Sequence, residues 1–121
     1  RGDMFGTSVY VYLWNPEVGP FKTIFPPSWY RFKDGVMRLM FPNKPSMLIE
    51  LSAEPWLVEP IVEADLEVQL SRMNLEKFNE IIEYARETRF DQQYLWGAEW
   101  WYWLKTNHDR PEFWERAKEL Y

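Results

Sequence analysis

The spacing of apolar and polar residues changes several times along this chain, and each change marks a predicted element. Met4 to Tyr12 (Met-Phe-Gly-Thr-Ser-Val-Tyr-Val-Tyr) is dense in β-forming residues and predicts a first strand. Gly6 within it leaves room for a close neighbour. Tyr10 and Tyr12 then fall near the strand's carboxyl end, with Trp14 just beyond. Asn15 to Pro27 carries Pro16, Gly19, Pro20, Pro26 and Pro27, which predicts no regular structure over most of its length. From Ser28 to Met40, Trp29, Phe32, Val36, Met37, Leu39 and Met40 recur at helical spacing, with Arg31, Lys33 and Asp34 on the other side. Pro42-Asn43-Lys44-Pro45 stops that helix.

The stretch from Pro45 to Trp56 organises the rest. Its apolar run Met47, Leu48, Ile49 ends in a carboxylate, Glu50, and a second carboxylate, Glu54, follows before Pro55 and Trp56. A buried parallel strand reads this way when it delivers an acid to the rim of a sheet, because such strands are apolar throughout and carry their chemistry at the carboxyl end.

An acidic, irregular segment with Glu59, Glu63, Asp65 and Glu67 runs on to about Arg72. Asn74 is a plausible N-cap for a helix whose apolar face is Leu75, Phe78, Ile81, Ile82 and Ala85 and whose polar face is Glu76, Lys77, Glu80 and Glu83. Arg89 to Gly97 predicts a short third strand ending at Trp96-Gly97. The run Trp100-Trp101-Tyr102-Trp103 places aromatic rings at four consecutive positions, too many for one apolar face. A last helix is expected from near Asp109, with Glu112 as in a capping box, presenting Phe113, Trp114, Ala117 and Leu120.

Strands alternating with helices imply βα units on a parallel sheet, so the predicted fold class is α/β. Residues 1–121 form a single domain in this reading. A three-stranded parallel sheet leaves both edges unpaired, which predicts either pairing with further copies or membership of a larger barrel.

Composition narrows the function. A formal charge of −5 and no basic stripe argue against a nucleic-acid surface. Without Cys and with one His, neither a thiolate site nor a His-rich metal centre can be built, and no cofactor is expected. No apolar run approaches the roughly 20 residues of a membrane span, and no signal-peptide pattern indicates a compartment. The 19% aromatic content with eight Trp exceeds what so small a core needs, so some rings are expected in an exposed groove.

Three segments carry a resemblance. Asp3 to Tyr10, Ile49-Glu50-Leu51-Ser52-Ala53-Glu54-Pro55-Trp56, and Leu95-Trp96-Gly97-Ala98-Glu99-Trp100 resemble the sixth, seventh and eighth strands of (β/α)8 glycoside hydrolases of the cellulase and β-galactosidase clan. The resemblance implies a partial TIM-type barrel, completed by oligomerisation or by a missing N-terminal portion, and an oligosaccharide or glycoside as partner. It implies a retaining mechanism with Glu50 as nucleophile, Tyr10 as the aromatic hydroxyl that orients it, and Trp96 as the floor of a sugar subsite. The clan's acid/base Glu follows an Asn on a fourth strand that this chain does not contain. Its Asn79-Glu80 pair sits on the polar side of a helix and cannot serve.

The residues also admit plainer roles. A retaining glycosidase needs two carboxyl groups about 5 to 5.5 Å apart, one ionised and one protonated. Glu50 is either that nucleophile or a strand-end acid paired with an Arg or a helix cap. Glu54 is either a sugar ligand, an alternative nucleophile, or a solvated loop acid. Glu99, flanked by Trp, is either an acid catalyst with a raised pKa or a structural hydrogen-bond acceptor. Trp56, Trp96, Trp100, Trp101 and Trp103 could stack on pyranose C–H faces, with Tyr12 and Trp14 beside them, although at least half of these Trp are expected in the core. His108, beside Asp109, is expected to be exposed.

Overall fold

The computed structural model describes residues 2–121. Its strands are β1 (Phe5–Val9), β2 (Tyr12–Asn15), β3 (Gly19–Lys22), β4 (Ser46–Ser52) and β5 (Gln93–Trp96). Its helices are α1 (Pro27–Met40), α2 (Leu66–Arg72), α3 (Leu75–Thr88), α4 (Ala98–Asn107) and α5 (Glu112–Lys118). β1, β4 and β5 form a parallel three-stranded sheet in that order, and β2 pairs with β3 in a separate antiparallel hairpin. The fold is mixed α/β, with the apolar β4 at the centre of the sheet.

One face of the sheet is buried. Val9, Leu48, Leu51 and Ala53 join Phe78, Ile81, Trp100, Trp101, Leu104 and Phe113 in a single core. α1 packs on α3, and α5 packs on both α3 and α4. Burying a large apolar side chain contributes roughly 1.5–3 kcal/mol, so this one-sided core is the main source of stability. Among the described residues no helix covers the opposite face. Gly6, Ile49, Tyr94 and Trp96 all lie exposed on the open strands. A Cβ on Gly6 would come within 2.7 Å of the Ile49 side chain, so the glycine makes room for it there.

A bulge in β4 decides which side chains reach the open face. The register runs Thr7 to Leu48, then Ser8 to Glu50 and Val9 to Leu51, so Ile49 is an extra residue. In a regular strand Glu50 would share the side of Leu48. With the extra residue, Leu48 and Leu51 both turn into the core and Glu50 lines up with Ser8 instead.

Several elements depart from the expected pattern. The first strand ends at Val9, and the Pro-rich stretch forms the β2–β3 hairpin. Asn15 Oδ1 accepts the N–H groups of Glu17 (2.8 Å) and Val18 (3.2 Å), and Gly19 supplies the positive φ of +82° that returns the chain. In a two-stranded ribbon Pro20 costs little, because each strand is an edge. The acidic segment contains α2, capped by Asp65, which accepts the Glu67 N–H at 2.7 Å. The last helix starts at Glu112, not near Asp109. Asp109 takes a left-handed φ of +53°, and Glu112 binds Arg110 at 2.6 Å in place of a capping box.

α1 faces the other way from its pattern. Tyr30 is its buried residue, while Phe32 (62% exposed), Leu39 (84%) and Met40 (61%) point outward. Phe25, Trp29 and Phe32 stack along the surface at 5.9 and 5.8 Å. Arg38 is the reason α1 docks through a polar residue. It holds Asp34 at 2.7 Å, and Asp34 in turn accepts the hydroxyl of Ser46 at the start of β4. α3 matches its prediction, with Asn74 accepting the Lys77 N–H at 2.9 Å. Among the described residues no helix is long and apolar enough to cross a membrane.

Candidate functional site

A cleft of about 310 Å³ opens at the carboxyl ends of β1, β4 and β5, lined by Tyr10, Glu50, Ser52, Glu54, Trp56 and Trp96. Parallel strands place their ends together at one rim, which is where α/β folds gather their chemistry. Five of the residues singled out in the sequence, Tyr10, Glu50, Glu54, Trp56 and Trp96, therefore meet in one place.

Glu50 is half-buried, and the Ser8 hydroxyl donates to its Oε2 at 3.1 Å. Tyr10, two residues further along the chain, lines the same cleft as Glu50. The nearby Glu50 carboxylate, with a smaller contribution from burial, pushes the phenol's pKa up, so Tyr10 stays protonated. The Ser8 hydroxyl on β1 thus aims the carboxylate, with the Tyr10 phenol in the same cleft.

Glu54 lies in the loop after β4. Its Oε1 accepts the Trp96 Nε1–H at 2.9 Å. Burial raises its pKa most, the Trp96 hydrogen bond opposes that, and the charges of Glu99 and Glu50 raise it further. Glu50 is thereby supported from β1 while Glu54 is supported from β5, and the cleft lies between them. The turn that carries Trp96 depends on Gly97. Its φ is +125°, and a Cβ there would sit 3.1 Å from both Ala53 O and Glu54 Cβ. Ala53 N also donates to Trp96 O at 2.9 Å, locking the two loops together.

Trp56 and Trp96 are 43% and 53% exposed, which leaves ring faces available in the cleft. Trp56 meets the Tyr10 ring edge-on at 5.6 Å, and Arg72 holds its carbonyl at 2.7 Å.

The other candidates sit elsewhere. Trp100 is only 1% exposed and its Nε1 donates to Gln69 Oε1 at 2.7 Å, so it is a core residue rather than a sugar platform. Glu99 is exposed on the first turn of α4 and reaches the cleft only through its charge on Glu54. Trp14 lies under the Arg72 guanidinium at 4.9 Å, and Tyr12 bonds Glu80 beside Lys22 and Lys77. Both belong to a shallow depression on the far side of Trp56. There they brace the hairpin against α3: Lys22 Nζ binds Glu80 at 2.6 Å. Trp101 is buried, with its Nε1 donating to Ala53 O at 2.9 Å, and Trp103 packs against His108 at 4.3 Å.

Sequence reasoning missed Ser8, Ser52 and Gln69. Ser8 and Ser52 gave no signal beyond their place on strands. Gln69 is fully buried, and its Nε2 donates to Ile61 O (2.8 Å) and Ala64 O (2.9 Å) while Oε1 takes the Trp100 proton. It ties the loop that walls the cleft to the core. No family model matches this chain, and no curated protein or solved structure matches it.

Proposed function

We propose that the chain is a carbohydrate-active protein, part of a retaining β-glycoside hydrolase, in which Glu50 is the nucleophile. The observation that carries this reading is the placement of Glu50. A bulge turns it from the core side to the open rim, where Ser8 donates to it in a cleft that Tyr10 and two exposed indoles also line. Bulges recur next to active sites because they re-aim a side chain at the expense of a ladder bond. Parallel strands in sequence order, helices on one face and a bare opposite face agree with one sector of a TIM-type barrel. In that arrangement the pyranose stacks its C–H face on Trp96, with Trp56 as a second contact. Glu50 attacks the anomeric carbon as the aglycone oxygen departs, and water later displaces the enzyme's carboxylate.

A panel of 2,4-dinitrophenyl 2-deoxy-2-fluoro-β-glycosides tests it. These react with a nucleophile without needing an acid and leave a long-lived glycosyl ester. Peptide mass spectrometry is expected to place the adduct on Glu50. An adduct on another residue overturns the assignment. Failure of every sugar to label, with soluble oligosaccharides still quenching Trp fluorescence saturably, makes the protein a glycan-binding module instead.

A second reading, self-association, has its own observation. The outward stripe Phe25, Trp29, Phe32, Val36, Leu39 and Met40 on and beside α1 is a contiguous apolar surface of the kind that marks an interface. Light scattering is then expected to give a mass above 14.8 kDa that rises with concentration and returns to the monomer in Phe32→Glu. A monomer at every concentration rules this reading out.

A further inference from the structure

Resting on the reading of Trp56 as a sugar contact, we infer that Arg72 is a positioning residue of the cleft: it holds Trp56 in place from outside, and Trp14 acts on the cleft through it.

Trp56 is the contact that local structure does least to fix. Trp96 ends a strand and is tied to Glu54 and Ala53, whereas residues 55–57 lie outside any helix or strand. A half-exposed indole on such a segment samples many orientations unless its backbone is held. Arg72 supplies the hold, because its Nη1 donates to the Trp56 carbonyl at 2.7 Å. A charged donor makes a shorter and stronger bond than a neutral one.

Arg72 is itself fixed from several sides. It is the last residue of α2, the helix that the buried Gln69 anchors to the cleft loop and to Trp100. Lys77 Nζ donates to the carbonyls of Ser71 (2.8 Å) and Arg72 (3.1 Å), which ties the end of α2 to the first turn of α3. The guanidinium lies over the Trp14 ring at 4.9 Å, a cation–π contact. Trp14 stands on β2, in the hairpin that the Lys22–Glu80 pair pins to α3. A direct contact therefore joins hairpin to Arg72 and Arg72 to Trp56.

The space behind Trp56 shows what this arrangement does. Trp56 and Glu54 line both the cleft and the depression on the far side, where Trp14, Arg72 and Met73 also stand. That depression holds about 20 Å³, room for about one water, against about 310 Å³ in the cleft. Trp56 is thus backed by packed side chains and open toward the cleft. Only a guanidinium fits the position, since its planar fork donates to a carbonyl at its edge while its face stacks on a ring. A Lys ammonium keeps the charge and has no plane to stack.

Fluorine resonances test the hold without a ligand. In protein labelled with 5-fluorotryptophan, the resonance lost in Trp56→Phe reports Trp56 and the one lost in Trp100→Phe reports the core. Arg72→Met keeps the stem and removes the fork, and Trp14→Leu keeps Arg72 and removes the ring beneath it. In both, the Trp56 resonance is expected to move and to gain a larger shift between H2O and D2O, while the Trp100 resonance stays. Cellotetraose, xylotetraose and mannotetraose are then titrated by Trp fluorescence. For whichever binds the wild-type chain, the dissociation constant is expected to rise about tenfold in Arg72→Met, the scale of one hydrogen bond to a charged group. Arg72→Lys is expected to follow Arg72→Met rather than restore the wild-type values. In turnover the loss is expected in KM with kcat changed by only a few-fold, because Trp56 contacts the ground state and the transition state alike.

A Trp56 resonance that does not move in Arg72→Met overturns the proposal, as does an unchanged affinity once it has moved. Movement of Trp56 and Trp100 together in both variants makes Arg72 a prop for the fold and overturns it as well. A wild-type chain that binds none of the three oligosaccharides loses the carbohydrate reading and the sugar role of Arg72 with it, and the resonances alone then decide whether Arg72 holds Trp56.

Discussion

Trp100→Ala is expected to remove most of the stability of the domain. The indole is 1% exposed, packs against Phe113 at 4.8 Å, and donates to Gln69, which is itself fully buried. Truncating a buried Trp costs about 3–5 kcal/mol through lost transfer energy and the cavity left behind. The stranded Gln69 oxygen adds roughly 1–3 kcal/mol, because a buried acceptor loses its partner without regaining water. A domain of this size has about 5–15 kcal/mol to lose. Urea unfolding followed by far-ultraviolet circular dichroism measures it, and Trp100→Phe, which keeps most of the ring and loses the N–H, should fall between the two. A loss below about 1 kcal/mol for Trp100→Ala would place the indole outside the core.

The second large effect is on turnover. Glu50→Gln keeps the size and an acceptor for the Ser8 hydroxyl, so the fold should not change. On the proposed mechanism it removes the nucleophile, and turnover of a glycoside substrate is expected to fall by about 10⁴-fold or more, the scale on which loss of a nucleophile acts in other hydrolases. Oligosaccharide binding, read by Trp fluorescence, should change by only a few-fold, because the indole faces are untouched. Tyr10→Phe removes a phenol hydroxyl from the cleft and not the reacting atom, so its loss should be much smaller. Hydrolysis that survives Glu50→Gln removes Glu50 from the mechanism.

Much of the architecture was readable in advance because it rests on local chemistry. Asn74 caps α3 just ahead of its apolar face, as predicted, by accepting the Lys77 N–H, and the face from Leu75 to Ala85 buries Phe78, Ile81 and Ile82. The hairpin was hidden by its prolines and glycine. Those residues exclude helix and most strands but permit a two-stranded ribbon, whose turn the Asn15 side chain closes by accepting the Glu17 and Val18 N–H groups. α1 misled for a different reason. Its apolar stripe is real, yet the helix docks through Tyr30 and the Asp34–Arg38–Ser46 contacts, leaving the stripe outside. The Trp run divides as one helix must divide it: successive residues are turned by about 100°, so Trp100 and Trp101 go in and Tyr102 faces out, its ring tilted against Trp114 at 5.3 Å.

The sequence by itself determined the α/β class, the parallel order of three strands and the gathering of Glu50, Glu54 and Trp96 near strand ends, since each follows from spacing, caps and apolar runs along the chain. Only the tertiary structure decided which side of the sheet Glu50 occupies and which Trp are free. Strand alternation alone would have put Glu50 on the side of Leu48. The extra residue at Ile49, accommodated opposite Gly6 on a neighbouring strand, turns it outward, and a contact between residues 43 positions apart leaves no mark in local periodicity.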